Sequence, residues 1–322
     1  GIQALGSRTV ESAIVALFGE VDHPAFLDLY APIDGAPRSA HGVLLRRRLP
    51  HKEFAGYPRG FTARQLYLGS PPHIRDQCWR FSDASKRLPI IIINFNVLGY
   101  LKRQVDMWHK MGYWCIVIWD NLSTYPPLLD YYYNESTRPG NVILNNYNGG
   151  ATALFMSQFV TSIRSQYFAV TDSDLVFADP SAAEDFVSVM VSVLDSDPDL
   201  VKAGSALDIS DIPEHYPFRA QVLGVEAQHW ETSKMDAGLS AVADAPVFRT
   251  GIDTTLAIYR GNYLREREHL CVAGHCGAVA WYEETERSAR VGGRYTMKHL
   301  PWYQESDKLP RDVVHALVHK GL

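Results

Sequence analysis

The chain has 322 residues, 46 % of them hydrophobic and 21 % charged, which supports one large folded domain or two modest ones and excludes a disordered chain. A formal net charge of −5 and a pI of about 6.2 lack the concentrated Lys and Arg excess that a nucleic-acid backbone rewards, so no nucleic-acid partner is expected. Four scattered cysteines, Cys78, Cys115, Cys271 and Cys276, make no disulfide framework in a chain this long and read as thiols of a reducing compartment.

No apolar run approaches the length that spans a bilayer, and no charged-then-apolar leader opens the chain. A cytoplasmic protein is expected, or one held at a membrane through a partner or a region outside this sequence. The chain starts at Gly1 rather than Met, as expected of a piece excised from a longer polypeptide.

Residues 1–87 are rich in Pro, Gly, Arg and His with no sustained hydrophobic period, and read as an irregular N-terminal extension. From residue 88 the texture changes. Ile90 to Ile93 is a continuous β-branched run that suits a strand covered on both faces. Leu98, Leu101, Val105 and Trp108 then mark one face of a helix that Gly112 closes. A second strand is expected from Trp114 to Trp119, a helix from Ala151 to about Ile163, and a strand from Tyr167 to Val170. After Pro180 a helix runs through Phe186, Met190 and Leu194 into a strand from Val201 to Ala206, and the remainder is loop-rich and aromatic.

This alternation predicts an α/β fold with a mostly parallel sheet flanked by helices, whose ligands gather beyond the carboxyl ends of the strands. Residues 88–180 and residues 181–322 form the two halves of the expected domain. Asp172-Ser173-Asp174 follows an apolar strand directly. Two carboxylates at that spacing suit a hard divalent cation, because Mg²⁺ and Mn²⁺ favour carboxylate plus substrate phosphate. The same string is also a common surface turn.

The strings IIIINFNVLGYLKRQVDMW, IVIWDNLST, NYNGGATALF and YFAVTDSDLVF, in that order, resemble the nucleotide-binding half of GT-A glycosyltransferases, those similar to family 2 in particular. That resemblance implies a Rossmann-like GT-A fold, an Mn²⁺ or Mg²⁺ cofactor and a nucleotide-sugar donor, a UDP-sugar foremost. It makes Asp120 the acceptor for the base's ring N–H, with Asn94 and Asn96 lining the base pocket and Asn148, Gly149 and Gly150 against the nucleotide. Asp172 is placed on the ribose side and on the metal, and Asp174 on the metal. Where many relatives carry two acids, this chain has Asp120-Asn121, which leaves one carboxylate to read the base. A turn-forming cap is the competing role for Asp120.

In inverting members a carboxylate well downstream of the Asp-x-Asp motif acts as general base, an interval that Asp253 fits; Glu231 is its rival. Several GT-A families also supply a C-terminal His as a third metal ligand, and His299 resembles it, beside Lys298. The expected activity is inverting sugar transfer to a carbohydrate acceptor, such as a growing polysaccharide. A sugar-phosphate nucleotidyltransferase and a non-catalytic carbohydrate-binding module are the alternatives. The first would need a Gly- and Arg-rich loop after the first strand, and Asn94 to Gly99 is not one.

Overall fold

A computed structural model describes residues 88–303 except 135, 146–147, 151–152, 157–158, 164, 253–254 and 262–286, together with three short strands nearer the N-terminus. Those strands are β1 (Tyr30–Pro32), β2 (Leu45–Arg47) and β3 (Leu66–Leu68). β1 and β2 pair with each other, whereas β3 joins the main sheet at its edge, antiparallel to β6 (Asn141–Leu144). The segment read as an extension therefore contributes to the domain's own sheet.

The centre of that sheet is built where the sequence is most apolar. β4 (Ile90–Asn94) is buried along its whole length and pairs in parallel with β5 (Ile116–Asp120) and with β7 (Tyr167–Asp172). Between β4 and β5 lies α1 (Gly99–Lys110), which buries Tyr100, Leu101, Gln104, Val105 and Trp108. Its end has a physical stop: Gly112 adopts φ +85°, which a residue without Cβ takes at no cost, and Tyr113 N–H donates to the Trp108 carbonyl at 2.9 Å.

Between β5 and β7 the structure adds α2 (Pro126–Tyr133) and β6, which the sequence pattern does not predict. The helix expected over 151–163 appears as two short pieces, α3 (Ala153–Met156) and α4 (Phe159–Ser162), with Leu154, Phe155, Phe159 and Ile163 all buried as the spacing predicts. After β7 come β8 (Leu175–Phe177), a 3₁₀ turn at Pro180–Glu184, α5 (Phe186–Ser196) and β9 (Lys202–Ser205). The half expected to be loop-rich adds α6 (Arg219–Glu226), α7 (Ala237–Ala243), β10 (Val247–Arg249), β11 (Ala257–Arg260), β12 (Ser288–Val291) and β13 (Met297–His299). Strands of three or four residues are too short to declare a period in the sequence.

The nine-stranded sheet runs β10-β12-β9-β11-β7-β4-β5-β6-β3. β4, β5, β6, β7, β9 and β12 share one direction, and β3, β10 and β11 oppose them. The protein is thus α/β with a mostly parallel central sheet flanked by helices. The departure from regular alternation is β11, which inserts antiparallel between β7 and β9. β8 and β13 leave the main sheet to form a separate two-stranded ribbon. Among the described residues, no helix is long and apolar enough to cross a membrane.

The insertion of β11 imposes a close approach. A Cβ added at Gly204 would stand 2.3 Å from the Leu256 carbonyl oxygen and 2.7 Å from the Ala257 Cα, both backbone atoms held in the ladder. Gly204→Ala is therefore expected to destabilise the fold by about 3 kcal/mol or more, since overpacking against backbone cannot be relieved by a rotamer change. A chemical denaturation midpoint within error of the unsubstituted protein would contradict this packing.

Candidate functional site

The chain steps outward from β4 to β5 to β6 and then returns to the other flank of β4 as β7. At such a reversal the loops beyond the two carboxyl ends diverge and leave a crevice, the usual ligand position in α/β sheets. The register pairs Ile93 with Asp172 and Asn94 with Asp120. The three strand ends that the sequence singles out therefore meet at one edge.

Asp172 closes β7, Ser173 is buried, and Asp174 leads into β8. Because β13 pairs with β8, His299 stands opposite Leu175, and the Leu300 N–H donates to the Asp174 carbonyl at 2.9 Å. This ribbon brings the His299 Nε2 to 3.3 Å from the Asp174 Oδ2, with side chains 27 % and 22 % exposed, so the pair is open to a ligand from solvent. The Trp302 ring lies 4.9 Å from the imidazole. Lys298, one residue earlier, is already engaged: it pairs with Asp211, whose other oxygen accepts from the Tyr303 hydroxyl at 2.8 Å. The Lys298 and Tyr303 contacts hold the Asp211 carboxyl below its usual range. Among the described residues, no cluster of three or more His, Cys, Asp or Glu side chains forms a metal cage.

At the carboxyl ends of β4 and β5 lies a buried polar network. Asp120 is 0 % exposed, and both of its oxygens accept hydrogen bonds. Oδ1 takes the Ser123 N–H at 2.7 Å, and Oδ2 takes the Ser123 hydroxyl at 2.5 Å and the Tyr132 hydroxyl at 3.0 Å. Tyr132 in turn accepts from the Asn94 amide at 2.9 Å. Asn96, in a left-handed conformation at φ 56°, donates its N–H to Ser123 Oγ at 2.7 Å. Its side-chain oxygen accepts from the Thr124 and Tyr125 N–H groups at 2.6 and 2.9 Å. Asn94, Asn96 and Asp120 thus lie side by side, with their side chains turned into the protein and bracing the two loops.

The Asn148-Gly149-Gly150 loop docks on the same edge: the Asn121 side-chain amide donates to the Gly150 carbonyl at 3.0 Å, and Asn148 Oδ1 accepts the Gly150 N–H at 3.0 Å. Gly150 is left-handed at φ +64° with open space around it, so this turn requires glycine for its backbone. Of the two candidate bases, Asp253 lies outside the described residues. Glu231 is an exposed residue 3.4 Å from Lys234.

The backbone just before Asp253 is gripped by two cations that the sequence reading passed over. Lys202, 0 % exposed, donates to the Ile252 carbonyl, and Arg290, 2 % exposed, donates to the Gly251 carbonyl while pairing with Glu226 at 2.7 Å. Thr250 is held by the His229 ring at 2.7 Å. The available signal was a Lys and an Arg set inside short runs of small and apolar residues, Val201 to Ser205 and Ser288 to Val291. No protein-family model and no curated protein matches this chain.

Burial raises the Asp120 carboxyl from 3.8 to about 6, against the opposing pull of its Ser123, Tyr132 and Asn94 hydrogen bonds. Between those values the folded protein holds a proton that the unfolded chain releases. Stability from this group is therefore fully present below about 3.8 and falls as pH rises through about 6, by about 3 kcal/mol in total. The unfolding free energy of the protein relative to Asp120→Asn should fall by that order between pH 4 and pH 7. Parallel pH profiles for the two proteins would show that Asp120 does not titrate in this window.

Proposed function

We propose that this chain is a metal-assisted glycosyltransferase of the GT-A type. It moves a sugar from a nucleoside diphosphate, UDP foremost, to a hydroxyl of a carbohydrate acceptor with inversion. The observation that carries the reading is the Asp174–His299 contact at the carboxyl edge of the sheet, made by two segments more than a hundred residues apart in the chain. Its second support is the position of Asp172 opposite the end of β4, where the strand order reverses.

The donor set fits Mn²⁺ or Mg²⁺. A carboxylate oxygen and an imidazole nitrogen suit Mn²⁺, and a cation that binds through few protein ligands completes its shell with water and substrate phosphate. A cation bound there would neutralise charge on the departing diphosphate. Asp172, at the strand end, is assigned to the ribose side and to the outer part of that site. The Asn148–Gly150 turn offers exposed backbone to the nucleotide.

On the acceptor side, Asp253 is assigned as the base that takes the proton of the attacking hydroxyl. Lys202 and Arg290 hold the carbonyls of Ile252 and Gly251, which precede Asp253 in the chain. Glu231 is the weaker candidate, because it is an exposed residue paired with Lys234.

UDP with Mn²⁺ should raise the melting temperature by a few degrees at saturating concentration, and UDP alone should not. Asp174→Ala and His299→Ala should each remove the metal-dependent part of the shift. An unchanged shift in both variants would sink the donor-site assignment. Asp253→Asn should abolish transfer from a turned-over nucleotide sugar while leaving the UDP–Mn²⁺ shift intact, and Glu231→Gln should leave turnover within about twofold, well short of the hundredfold or more that a general base contributes. Full turnover in Asp253→Asn would reassign the base.

A further inference from the structure

Leu122 occupies the loop beyond β5 in a conformation that its own chemistry disfavours. Three non-glycine residues among those described have positive φ: Asn96, Asp244 and Leu122. Asn and Asp enter the left-handed region with help from their short polar side chains, whereas a leucine has no such compensation. At φ 64°, Leu122 is also 43 % exposed, between Asn121 and Ser123, which are both buried. A turn with no task beyond reversing the chain is better served there by Gly or Asn.

The surroundings enforce this conformation. Ser123 is fixed through its N–H and hydroxyl to Asp120, Asn121 N–H donates to the Asn94 carbonyl at 2.9 Å, and the Asn121 side chain holds Gly150. With both neighbours tied down, the side chain of Leu122 is delivered outward at the edge shared by the loops after β4 and β5 and the Asn148–Gly150 turn. The Asn94, Asn96, Asp120, Asn121 and Ser123 side chains of that edge are buried and engaged in the brace, and Leu122 is the large hydrophobic side chain that the loop after β5 exposes. Strained residues persist where the surrounding structure over-determines them, and they concentrate at ligand sites.

We propose that Leu122 is the apolar contact for the base of the nucleotide, held ready in its strained conformation by the Asp120–Ser123 brace. The inference rests on the donor-site assignment above. It adds that the base packs against an aliphatic face, whereas the Asp120 carboxylate keeps its protein partners. Base selectivity is then modest, because an apolar surface discriminates poorly between rings of similar size.

The test compares the unsubstituted protein with Leu122→Gly and Leu122→Asn, both of which accept the left-handed backbone. Calorimetric titrations would use two probes, UDP with Mn²⁺ and inorganic pyrophosphate with Mn²⁺, and thermal melts would be recorded alongside. Both variants should melt at or above the unsubstituted protein and bind UDP about tenfold more weakly, a loss equivalent to about 1.4 kcal/mol. Pyrophosphate, which has no base, should bind all three proteins equally. Equal UDP affinity across the three would overturn the Leu122 contact while the donor site stands. A parallel loss of pyrophosphate binding would also overturn it, by showing a disturbed metal site. If the unsubstituted protein binds neither probe, the donor-site assignment itself fails and the inference falls with it.

Discussion

A carboxylate removed entirely from water must either find donors or take up a proton, and Asp120 does some of each. Charge-assisted hydrogen bonds contribute roughly 1.5–3 kcal/mol apiece, and three reach this group. The carboxyl still titrates near 6, so desolvation outweighs them. A site held at that cost has a local consequence: Ser123, Asn94, Asn96 and Tyr132 are locked around one another, and hydrogen bonds tie the loop beyond β4 to the loop beyond β5. Left-handed Leu122 costs about 1–2 kcal/mol relative to a relaxed residue, which is within what the brace can impose.

Beside this rigid unit the β8–β13 ribbon solves a different problem. Asp174 sits in the first half of the domain and His299 near the end of the described chain, and nothing local in either segment would bring them together. Backbone pairing does so: three ladder positions fix His299 against Leu175, and the Leu300 N–H anchors the Asp174 carbonyl. Both residues are then placed by main-chain geometry, which is less compliant than a chain of side-chain contacts. The ring of Trp302 and the Lys298–Asp211–Tyr303 cluster stiffen the same ribbon.

What the sequence made legible follows the physics of each signal. The Ile90–Ile93 run, the Leu101–Trp108 face and the strand before Asp172 are long and apolar, so their elements form where expected. The grouping of Asn94, Asn96, Asp120 and Asp172 was legible because strand ends of a parallel sheet share one edge. The inward orientation of Asn94, Asn96 and Asp120 was not, because a carboxylate that reads a ligand and one that caps a turn look identical in one dimension. The α2 helix was hidden behind Pro126-Pro127 and three tyrosines, although proline suits a first helical turn. β10 to β13 were missed because each is completed by partners distant in sequence, and β3 because it takes its order from the β6 edge.

Two buried charged clusters of the fold are held by opposite electrostatic means. Beyond the ends of β4 and β5 a buried acid is satisfied by neutral donors. On the side of residues 250–252, buried cations are satisfied by backbone carbonyls, with Glu226 as the counter-charge of Arg290. Removing one partner of such a buried pair costs far more than the pair contributes, because the remaining charge is stranded. Both arrangements therefore resist partial opening. At the carboxyl edge the Asp120 brace is the stiff part, and the exposed Asn148–Gly150 turn is left free to adjust.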